Sequence, residues 1–349
     1  MKIAMTHVDL PNEAKGGVAF QVHYLANALV ERGHDVTIFT FSPHYDECRY
    51  QVHQYPISPR LRRYKSFLLA LYSARTDFSG FDVLHAHGDN YLLWGRHPQI
   101  RTFYGSAKDE AQSATSWKRR IYQTLMVALE SVGGRVADKS IGISKSTLER
   151  IPVISDVIPC GVDLREFRPG PKSEKPTILF VGTTGGRKRG TLLASIFLRE
   201  ILPGLPDAQL WSVAEKPLEG ENIVNFGKVS LETLTDLYRQ AWVFCLPSTY
   251  EGFGVPYIEA MASGTAVVAA PNPGAREVLQ EGKYGVLATD EQLGTQILAL
   301  LNNAGRRSEY ERLGLGRAAE YSWHTVASQY EQVYCQLTAA GSTEDCHAS

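Results

Sequence analysis

Two α/β domains, each built around a parallel β-sheet, are the architecture that the sequence predicts. Short apolar runs of strand length alternate with segments of helical periodicity, as in residues 2–6, 18–30 and 35–40, and this alternation is typical of parallel sheets. It pauses in a charged, proline-rich stretch at 165–176 and restarts at Thr177. The 349 residues are enough for two such domains.

Charge and composition indicate which kinds of partner and which cellular location to expect. The net charge is −1, but residues 1–160 carry 19 basic and 15 acidic side chains (+4), and residues 161–349 carry 17 and 22 (−5). So small a basic surplus predicts no nucleic-acid partner, although it leaves room for an anionic or membrane-surface partner on the first half. Five scattered cysteines, no 18-residue apolar run and no apolar leader predict a cytoplasmic protein without a transmembrane helix.

The stretch 247–264 carries the strongest functional signal. It lies between two short apolar runs, 242–246 and 265–270, which have the pattern of buried parallel strands. Pro256 stands where a first-turn proline begins a helix, and Gly264 stands where a glycine ends one. The sequence therefore predicts a strand, a loop and a helix N-terminus in succession, an arrangement whose exposed N–H groups favour phosphate.

Two carboxylates flank this predicted phosphate site. Glu251 lies in the loop beside Gly252 and Gly254, and Glu259 lies eight positions later, about one turn into the helix. The glycines let a ligand approach the backbone closely, and the carboxylates can bind hydroxyl groups on either side of a phosphate. A solvated strand–loop–helix is the alternative for Gly-x-Gly alone, whereas the full string favours a nucleotide-sugar site.

Two further glycine-containing loops follow predicted strands. Gly16 and Gly17 precede the first helix, and residues 183–190 hold three consecutive cations that include Arg187 and Lys188. Such cations can stabilise a diphosphate through charge-assisted hydrogen bonds. A solvated turn is the alternative for each loop.

A His-x-His pair at His85 and His87 ends another predicted strand. Metal binding would need a third ligand at suitable spacing, and the sequence offers none. The chain also lacks Asp-x-Asp, a common metal–diphosphate motif. We therefore predict no metal site, and we interpret these histidines as lying at the edge of a ligand-binding cleft.

These motifs resemble those of glycosyltransferase family 4, a family of retaining enzymes with the GT-B fold. From Pro247 to Ala270 the string fits the family's Glu-x7-Glu motif almost without a break, and the similarity extends over nearly the whole chain. The resemblance implies transfer of a hexose-type sugar from a nucleoside-diphosphate sugar to an acceptor. It also implies retained anomeric configuration, no cofactor and no obligatory metal.

The resemblance assigns roles to the motif residues. The family's diphosphate-binding lysine falls on Lys188; Thr183 stands where the family has arginine, so that Arg187 is the nearest substitute. Glu251 would hold the transferred sugar and Glu259 the ribose. The remaining donor-binding positions are Gly16, Gly17, Gly252, Phe253, Gly254 and Val255. His87 and Tyr104 would lie on the acceptor side, Tyr104 in place of a histidine common in the family.

A GT-B fold consists of two Rossmann-like domains that face each other across a cleft. We accordingly expect an acceptor-side domain at 1–165 and a nucleotide-sugar-binding domain at 166–324. A last helix at 325–338 should pack back on the first domain, followed by a frayed tail at 339–349.

Two alternatives stay open at this stage. Thr183 and Tyr104 depart from the family pattern, which leaves a catalytically impaired nucleotide-sugar-binding protein as one alternative. The other is a GT-B epimerase that acts on the nucleotide-sugar itself. The identity of the acceptor also stays open among glycans, lipid-linked sugars and small molecules.

Residues 60–72 place four cations beside large apolar side chains in a predicted helix of the first domain. A basic amphipathic helix can lie on an anionic bilayer, so this segment predicts peripheral contact with the inner membrane face. The alternative is an ordinary surface helix that buries Phe67, Leu68 and Leu71 in the domain.

Overall fold

The computed structural model describes residues 1–11, 17–44, 47–96, 98–105 and 117–344. The chain divides into two units. The first comprises Met1–Gly161 together with the chain from Trp323 onward, and the second comprises Val162–Ser322. The structure thus draws the division four residues before the predicted position of 165/166.

The described strands of the first unit form one parallel sheet. They are β1 (Lys2–Thr6), β2 (Asp35–Thr40), β3 (Gln51–Gln54), β4 (Val83–Ala86), β5 (Gln99–Phe103), β6 (Lys139–Gly142) and β7 (Asp156–Val157). Their order across the sheet is β3-β2-β1-β4-β5-β6-β7. Successive strands therefore add on one side of β1 as far as β3, and then on its other side from β4 to β7.

The helices of the first unit cover this sheet with their apolar faces. Val22, Leu25 and Leu29 of the first helix are fully buried at helical spacing, in one core with Ile3 and Ile38 of the strands. The helices are α1 (Val18–Glu31), α2 (Lys65–Arg75), α3 (Trp117–Val136), α4 (Lys145–Arg150) and α11 (Trp323–Glu344). A short 3₁₀ helix, Pro59–Tyr64, leads directly into α2.

Helix α11 joins the first unit, in keeping with the expected return of the last helix, but it is longer than predicted. It runs from Trp323 to Glu344, so that part of the predicted frayed tail is helical; residues 345–349 lie outside the described residues. Val326, Tyr330 and Tyr334 enter the same core as β1.

The second unit repeats the plan with six parallel strands. They are β8 (Thr177–Val181), β9 (Gln209–Val213), β10 (Ile223–Asn225), β11 (Val243–Leu246), β12 (Ala266–Ala269) and β13 (Val286–Leu287). Their order across the sheet is β10-β9-β8-β11-β12-β13, so the strand order reverses between β8 and β11. The fully buried patterns of β11 and β12 agree with the two apolar runs that flank the central motif.

Several helices of the second unit begin at a polar residue whose side chain caps the helix N-terminus. Ser230 and Asn272 accept hydrogen bonds from the third residue of their helices as N-caps. The helices are α5 (Gly190–Ile196, continued by a π-helical turn, Phe197–Ile201, and a last turn, Leu202–Gly204), α6 (Leu231–Gln240), α7 (Val255–Ala262), α8 (Pro273–Val278), α9 (Leu293–Asn302) and α10 (Ala304–Ala319). Across the described part of the chain, no helix combines the length and apolar character needed to cross a bilayer.

The segment 60–72 differs from the predicted single helix. Its first part is the 3₁₀ helix, and only its second part is α-helical. Leu69 and Ala70 supply the buried face, and Phe67 and Leu68 are half-buried. Leu71 is exposed, so the surface-helix alternative was wrong about this residue.

Candidate active site

The candidate site of the second unit lies where the strand order of its sheet reverses, between β8 and β11. The loop after β8 holds Arg187 and Lys188, and the loop after β11 holds Glu251. Because β8 and β11 are parallel neighbours, both loops leave the same carboxyl edge. Ligands of open α/β sheets bind at such a reversal, since the two loops separate there and leave a crevice.

Hydrogen bonds join these two loops directly. The Thr249 amide donates to the carbonyl of Arg187 at 2.9 Å, and Arg187 Nη1 donates to the carbonyl of Tyr250 at 2.9 Å. The contacts hold the basic loop against the start of the Glu251 loop. Three residues distant in the sequence, Arg187, Lys188 and Glu251, are thereby brought together.

The Glu251 carboxylate lies between two cations. Its side chain is 8% exposed, with Oε1 3.6 Å from Lys188 Nζ and Oε2 3.7 Å from Arg187 Nη1. These separations allow attraction without a direct hydrogen bond. Glu251 Oε1 is buried and accepts no hydrogen bond within the described structure. A buried carboxylate oxygen of this kind is suited to accept a hydrogen bond from a ligand hydroxyl.

Arg189, the third cation of the basic loop, has a different partner. Its guanidinium donates to both oxygens of Asp290, at 2.7 and 2.9 Å, and its Nε donates to the carbonyl of Pro247 at 2.7 Å. Its backbone is left-handed, with φ of 53°. The structure thus separates Lys188 and Arg187, which face Glu251, from Arg189, which anchors the loop.

The loop from Gly252 to Val255 ends at the N-terminus of α7. Gly254 has φ of 102° and lies against the Tyr257 ring, where a Cβ would collide, so both the backbone and the space require glycine. The Phe253 side chain is 2% exposed and packs edge-on against Tyr321, which leaves only its backbone for a ligand.

Glu259 lies in the second turn of α7 and accepts a hydrogen bond from the Tyr238 hydroxyl at 3.0 Å. Burial raises the pKa of the Glu259 carboxyl to about 7, against smaller opposing effects of Tyr238 and Lys188. Lys188 therefore acts on both carboxylates of the motif. A carboxyl group with this pKa is partly protonated at neutral pH.

In the first unit, Gly17 is the N-cap of α1 with φ of 67°, whereas Gly16 lies outside the described residues. His87 and Tyr104 follow neighbouring strands, and their Nδ1 and hydroxyl lie 3.0 Å apart. Burial lowers the pKa of His87 and raises that of Tyr104, so both are neutral at physiological pH. His87 Nε2 is buried and has no hydrogen-bond partner in the described structure.

Two acidic residues that the sequence patterns did not single out, Asp9 and Asp89, also lie at the carboxyl edge of the first sheet. Asp9, just after β1, forms an ion pair with Lys65 at the start of α2. Asp89, two residues after His87, has a pKa raised to about 6 by burial. The signal that could have found Asp9 and Asp89 is their position beyond strands that flank the reversal between β1 and β4. Among the described residues, no group of three potential metal ligands is assembled.

Two mannosyltransferases resemble this chain over most of its length. Phosphatidyl-myo-inositol mannosyltransferase from Mycobacterium tuberculosis (strain CDC 1551 / Oshkosh) is 27% identical over 374 residues, which covers 94% of this chain and 95% of that protein. The MMP alpha-(1->4)-mannosyltransferase of Mycolicibacterium hassiacum is 29% identical over 262 residues, covering 69% of this chain and 59% of that protein.

Solved structures share the fold. Sucrose-phosphate synthase from Thermosynechococcus elongatus superimposes with a TM-score of 0.77 at 23% identity, covering 97% of this chain and 99% of that one. Anabaena HepE, solved in complex with UDP-glucose, gives a TM-score of 0.74 at 15% identity and covers 97% and 100%. Together with the mannosyltransferase relatives, this likeness defines the class: the protein is a glycosyltransferase with the GT-B fold.

Each half of the chain also matches a family model. Residues 15–166 match the model described as Glycosyltransferase Family 4, and residues 175–303 match that described as Glycosyl transferases group 1. The chain belongs to glycosyltransferase family 4, of the group 1 type. The family resemblance and the fold class predicted from the sequence are confirmed.

Proposed function

We propose that the protein transfers a hexose from a nucleoside-diphosphate sugar to an acceptor, with retained anomeric configuration and without an obligatory metal. The proposal rests on the grouping of Lys188, Arg187 and Glu251 where the strand order of the second sheet reverses. The complex of Anabaena HepE with UDP-glucose supports a nucleotide-sugar donor. The two mannosyltransferase relatives support a hexose.

In this mechanism two cations act on the leaving group. The bond from the anomeric carbon to the diphosphate oxygen breaks, and negative charge accumulates on the diphosphate. Lys188 and Arg187 stabilise that charge, as do the backbone N–H groups where α7 begins. Because two side-chain cations already face the site, they can supply the charge that a metal supplies to diphosphates elsewhere, which supports metal independence.

The two carboxylates bind different parts of the donor. Glu251 Oε1 accepts a hydrogen bond from a hydroxyl of the transferred sugar, and Glu259 accepts hydrogen bonds from the ribose. Neither residue is assigned as a nucleophile. Retention then follows when the acceptor hydroxyl oxygen bonds to the anomeric carbon on the face from which the diphosphate departs, through an oxocarbenium-like state. The hydroxyl proton passes to the departing diphosphate oxygen. We assign acceptor binding to His87 and Tyr104 of the first unit, and the acceptor is a glycan, a lipid-linked sugar or a small molecule.

Product analysis tests this proposal. The protein is incubated with a panel of nucleoside-diphosphate hexoses and candidate acceptors, with and without a chelator, and the product is examined by NMR. We expect one donor to be consumed, the product to keep the donor's anomeric configuration, and turnover to survive chelation. Inverted product would overturn the retaining mechanism, and loss of turnover on chelation would overturn metal independence.

Arg187→Ala tests whether Arg187 takes the role of the family's arginine, whose position Thr183 occupies in this chain. Removing this cation should lower kcat/KM by about tenfold to a hundredfold, since a charge-assisted contact to the diphosphate is lost. Initial rates on the identified donor measure the effect. Arg199→Ala, at an exposed position of the same unit, is the matched control. Unchanged kinetics of the Arg187 variant would show that Arg187 has not taken over the role.

Donor affinity should depend on the protonation of Glu259. Ribose hydroxyls bind the carboxylate, so affinity should rise with pH through the pKa of about 7 and level off above it. From pH 6 to pH 8 the ionised fraction of such a group rises about tenfold, and Kd should fall by up to the same factor. Calorimetry with an intact nucleotide-sugar measures this, because its diphosphate does not titrate in that range.

Two variants serve as controls for this pH dependence. Glu259→Gln should weaken binding and flatten its pH profile. Tyr238→Phe removes the hydrogen bond that lowers the Glu259 pKa, so the midpoint should move upward. A wild-type profile in Glu259→Gln would mean that another group is responsible.

A further inference from the structure

Exposed apolar side chains cluster in two short segments of the first unit, the 3₁₀ helix with α2 and the loop 90–96. In the described part of the chain, nine large hydrophobic residues are exposed, and five of them fall in these segments. Trp94 has the largest exposure of the nine, at 63%. The five are Leu61, Tyr64, Leu71, Leu92 and Trp94.

These two segments contact each other and form one surface, here called the α2 patch. Arg96 Nη2 donates to the carbonyl of Ala74 in α2 at 3.3 Å. Between the exposed Leu92 and Trp94, Leu93 is buried in the same hydrophobic cluster as Leu69 of α2. This anchoring holds the Trp94 loop beside α2 while its two neighbouring side chains stay exposed.

Basic side chains dominate the charge on the α2 patch, which acidic residues border: Asp9 pairs with Lys65, and Asp77 interacts with Arg96. Residues 55–76 and 90–96 contain no aspartate or glutamate and six basic residues. Four of the six are exposed, namely Arg60, Arg62, Arg63 and Arg75. Arg63 lies over the Tyr64 ring at 4.7 Å, so that cation and aromatic face are presented together.

An anionic lipid bilayer has the chemistry that matches this surface. Arginines bind acidic headgroups, while tryptophan, tyrosine and leucine enter the boundary between headgroups and acyl chains. A nucleic acid would account for the arginines but would leave Leu61, Leu71 and Leu92 exposed. We propose that the α2 patch seats the protein on an anionic bilayer, with Trp94 and Leu92 inserted beside the bound arginines.

The position of the patch gives this contact a consequence for the acceptor. Lys65, which begins α2, pairs with Asp9 at the carboxyl edge of the first sheet. That edge also carries His87 and Tyr104, to which the proposed function assigns the acceptor side. Resting on that assignment, the proposal identifies the acceptor as lipid-borne, presented from the surface on which the patch sits.

Vesicle co-sedimentation of the full chain tests the bilayer contact. Vesicles of phosphatidylcholine alone are compared with vesicles that also contain phosphatidylglycerol, at low and high salt. We expect binding only to the anionic vesicles and its loss in high salt. Replacing Arg60, Arg62 and Arg63 by alanine should weaken it on the order of a hundredfold. Trp94→Ser with Leu92→Ser should weaken it at least about tenfold.

Matched variants in the second unit control for general effects. Arg168, Arg199 and Arg312 replaced together by alanine remove three exposed arginines, and Leu315→Ser removes an exposed leucine. Both should bind anionic vesicles like wild type. Wild-type protein should also show a blue shift of tryptophan fluorescence on binding, and the Trp94 variant should lack it. Thermal melting of each variant establishes that it is folded.

Several results would overturn the proposal. They are no sedimentation with anionic vesicles at low salt, wild-type binding by the Trp94/Leu92 variant, or equal losses in the control variants. Calorimetry with the nucleotide-sugar panel separates this outcome from failure of the proposed function. Donor binding without vesicle binding would reject only the bilayer contact, and vesicle binding without donor binding would reject only the proposed function.

Discussion

Lys188→Ala should lower kcat/KM by at least about a hundredfold, a loss of roughly 3 kcal/mol of transition-state stabilisation. Lys188 is the cation whose ammonium lies 3.6 Å from Glu251 and which also acts on Glu259. The reason for so large an effect is that negative charge grows on the diphosphate as the glycosidic bond breaks, and preoriented charge is most effective at that moment. Initial rates at varied donor concentration measure it.

Lys283→Ala provides the matched control for this prediction. Lys283 is an exposed lysine of the same unit, stacked on the Tyr284 ring. Its loss should leave kcat/KM close to that of wild type. Near-wild-type activity of Lys188→Ala, in a variant that melts like the parent, would remove Lys188 from the mechanism.

Glu251→Gln should reduce turnover on the order of a hundredfold or more while sparing affinity for the free nucleoside diphosphate. Oε1 of Glu251 is the buried acceptor left unsatisfied beside Lys188, so its partner is expected on the ligand. The substitution keeps the shape of the side chain and removes its charge. The sugar is then held less well, but the diphosphate and nucleoside contacts persist. Single-turnover rates and calorimetry together measure the two quantities.

Glu259→Gln is the paired variant, and it should differ from Glu251→Gln in its effect on nucleotide affinity. Its nucleoside-diphosphate affinity should fall, because Glu259 is assigned to the ribose rather than to the sugar. Equal losses of nucleotide affinity in the two variants would show that the assigned division of labour is wrong.

The central motif could be predicted from the sequence because its signals are local. Pro256 and Gly264 mark the two ends of α7 within a few residues, and the apolar runs around them are too short and too buried for anything but parallel strands. The family resemblance implied that Lys188 and Glu251 serve one donor site, and the structure accounts for their grouping because the loops after neighbouring parallel strands leave the same sheet edge.

Other features depend on contacts distant in the sequence. Arg189 is diverted from the ligand edge by Asp290, 101 positions away, and no local pattern indicates that pair. The pKa of Glu259 follows from burial and from Tyr238 on another helix. Helix α3 was missed, although it holds twenty residues, and its Gly133 and Gly134 weaken the local helical signal.

Tertiary packing accounts for those two glycines. A Cβ on Gly133 would collide with the Arg101 guanidinium, and one on Gly134 would collide with Val153. Close approach of the helix to its neighbours therefore outweighs intrinsic helix propensity here. The reason becomes visible only when the whole unit is assembled.

The central claim is that the donor binds where the strand order of the second sheet reverses, between β8 and β11. Calorimetric titration with a panel of nucleoside-diphosphate sugars tests it most directly. Wild-type protein and a Lys188→Ala/Glu259→Gln double variant are titrated under the same conditions. The account predicts that wild-type protein binds at least one donor of the panel and that the double variant binds it on the order of a hundredfold more weakly. Equal affinity in the two proteins, or no binding of any donor by wild type, would contradict it.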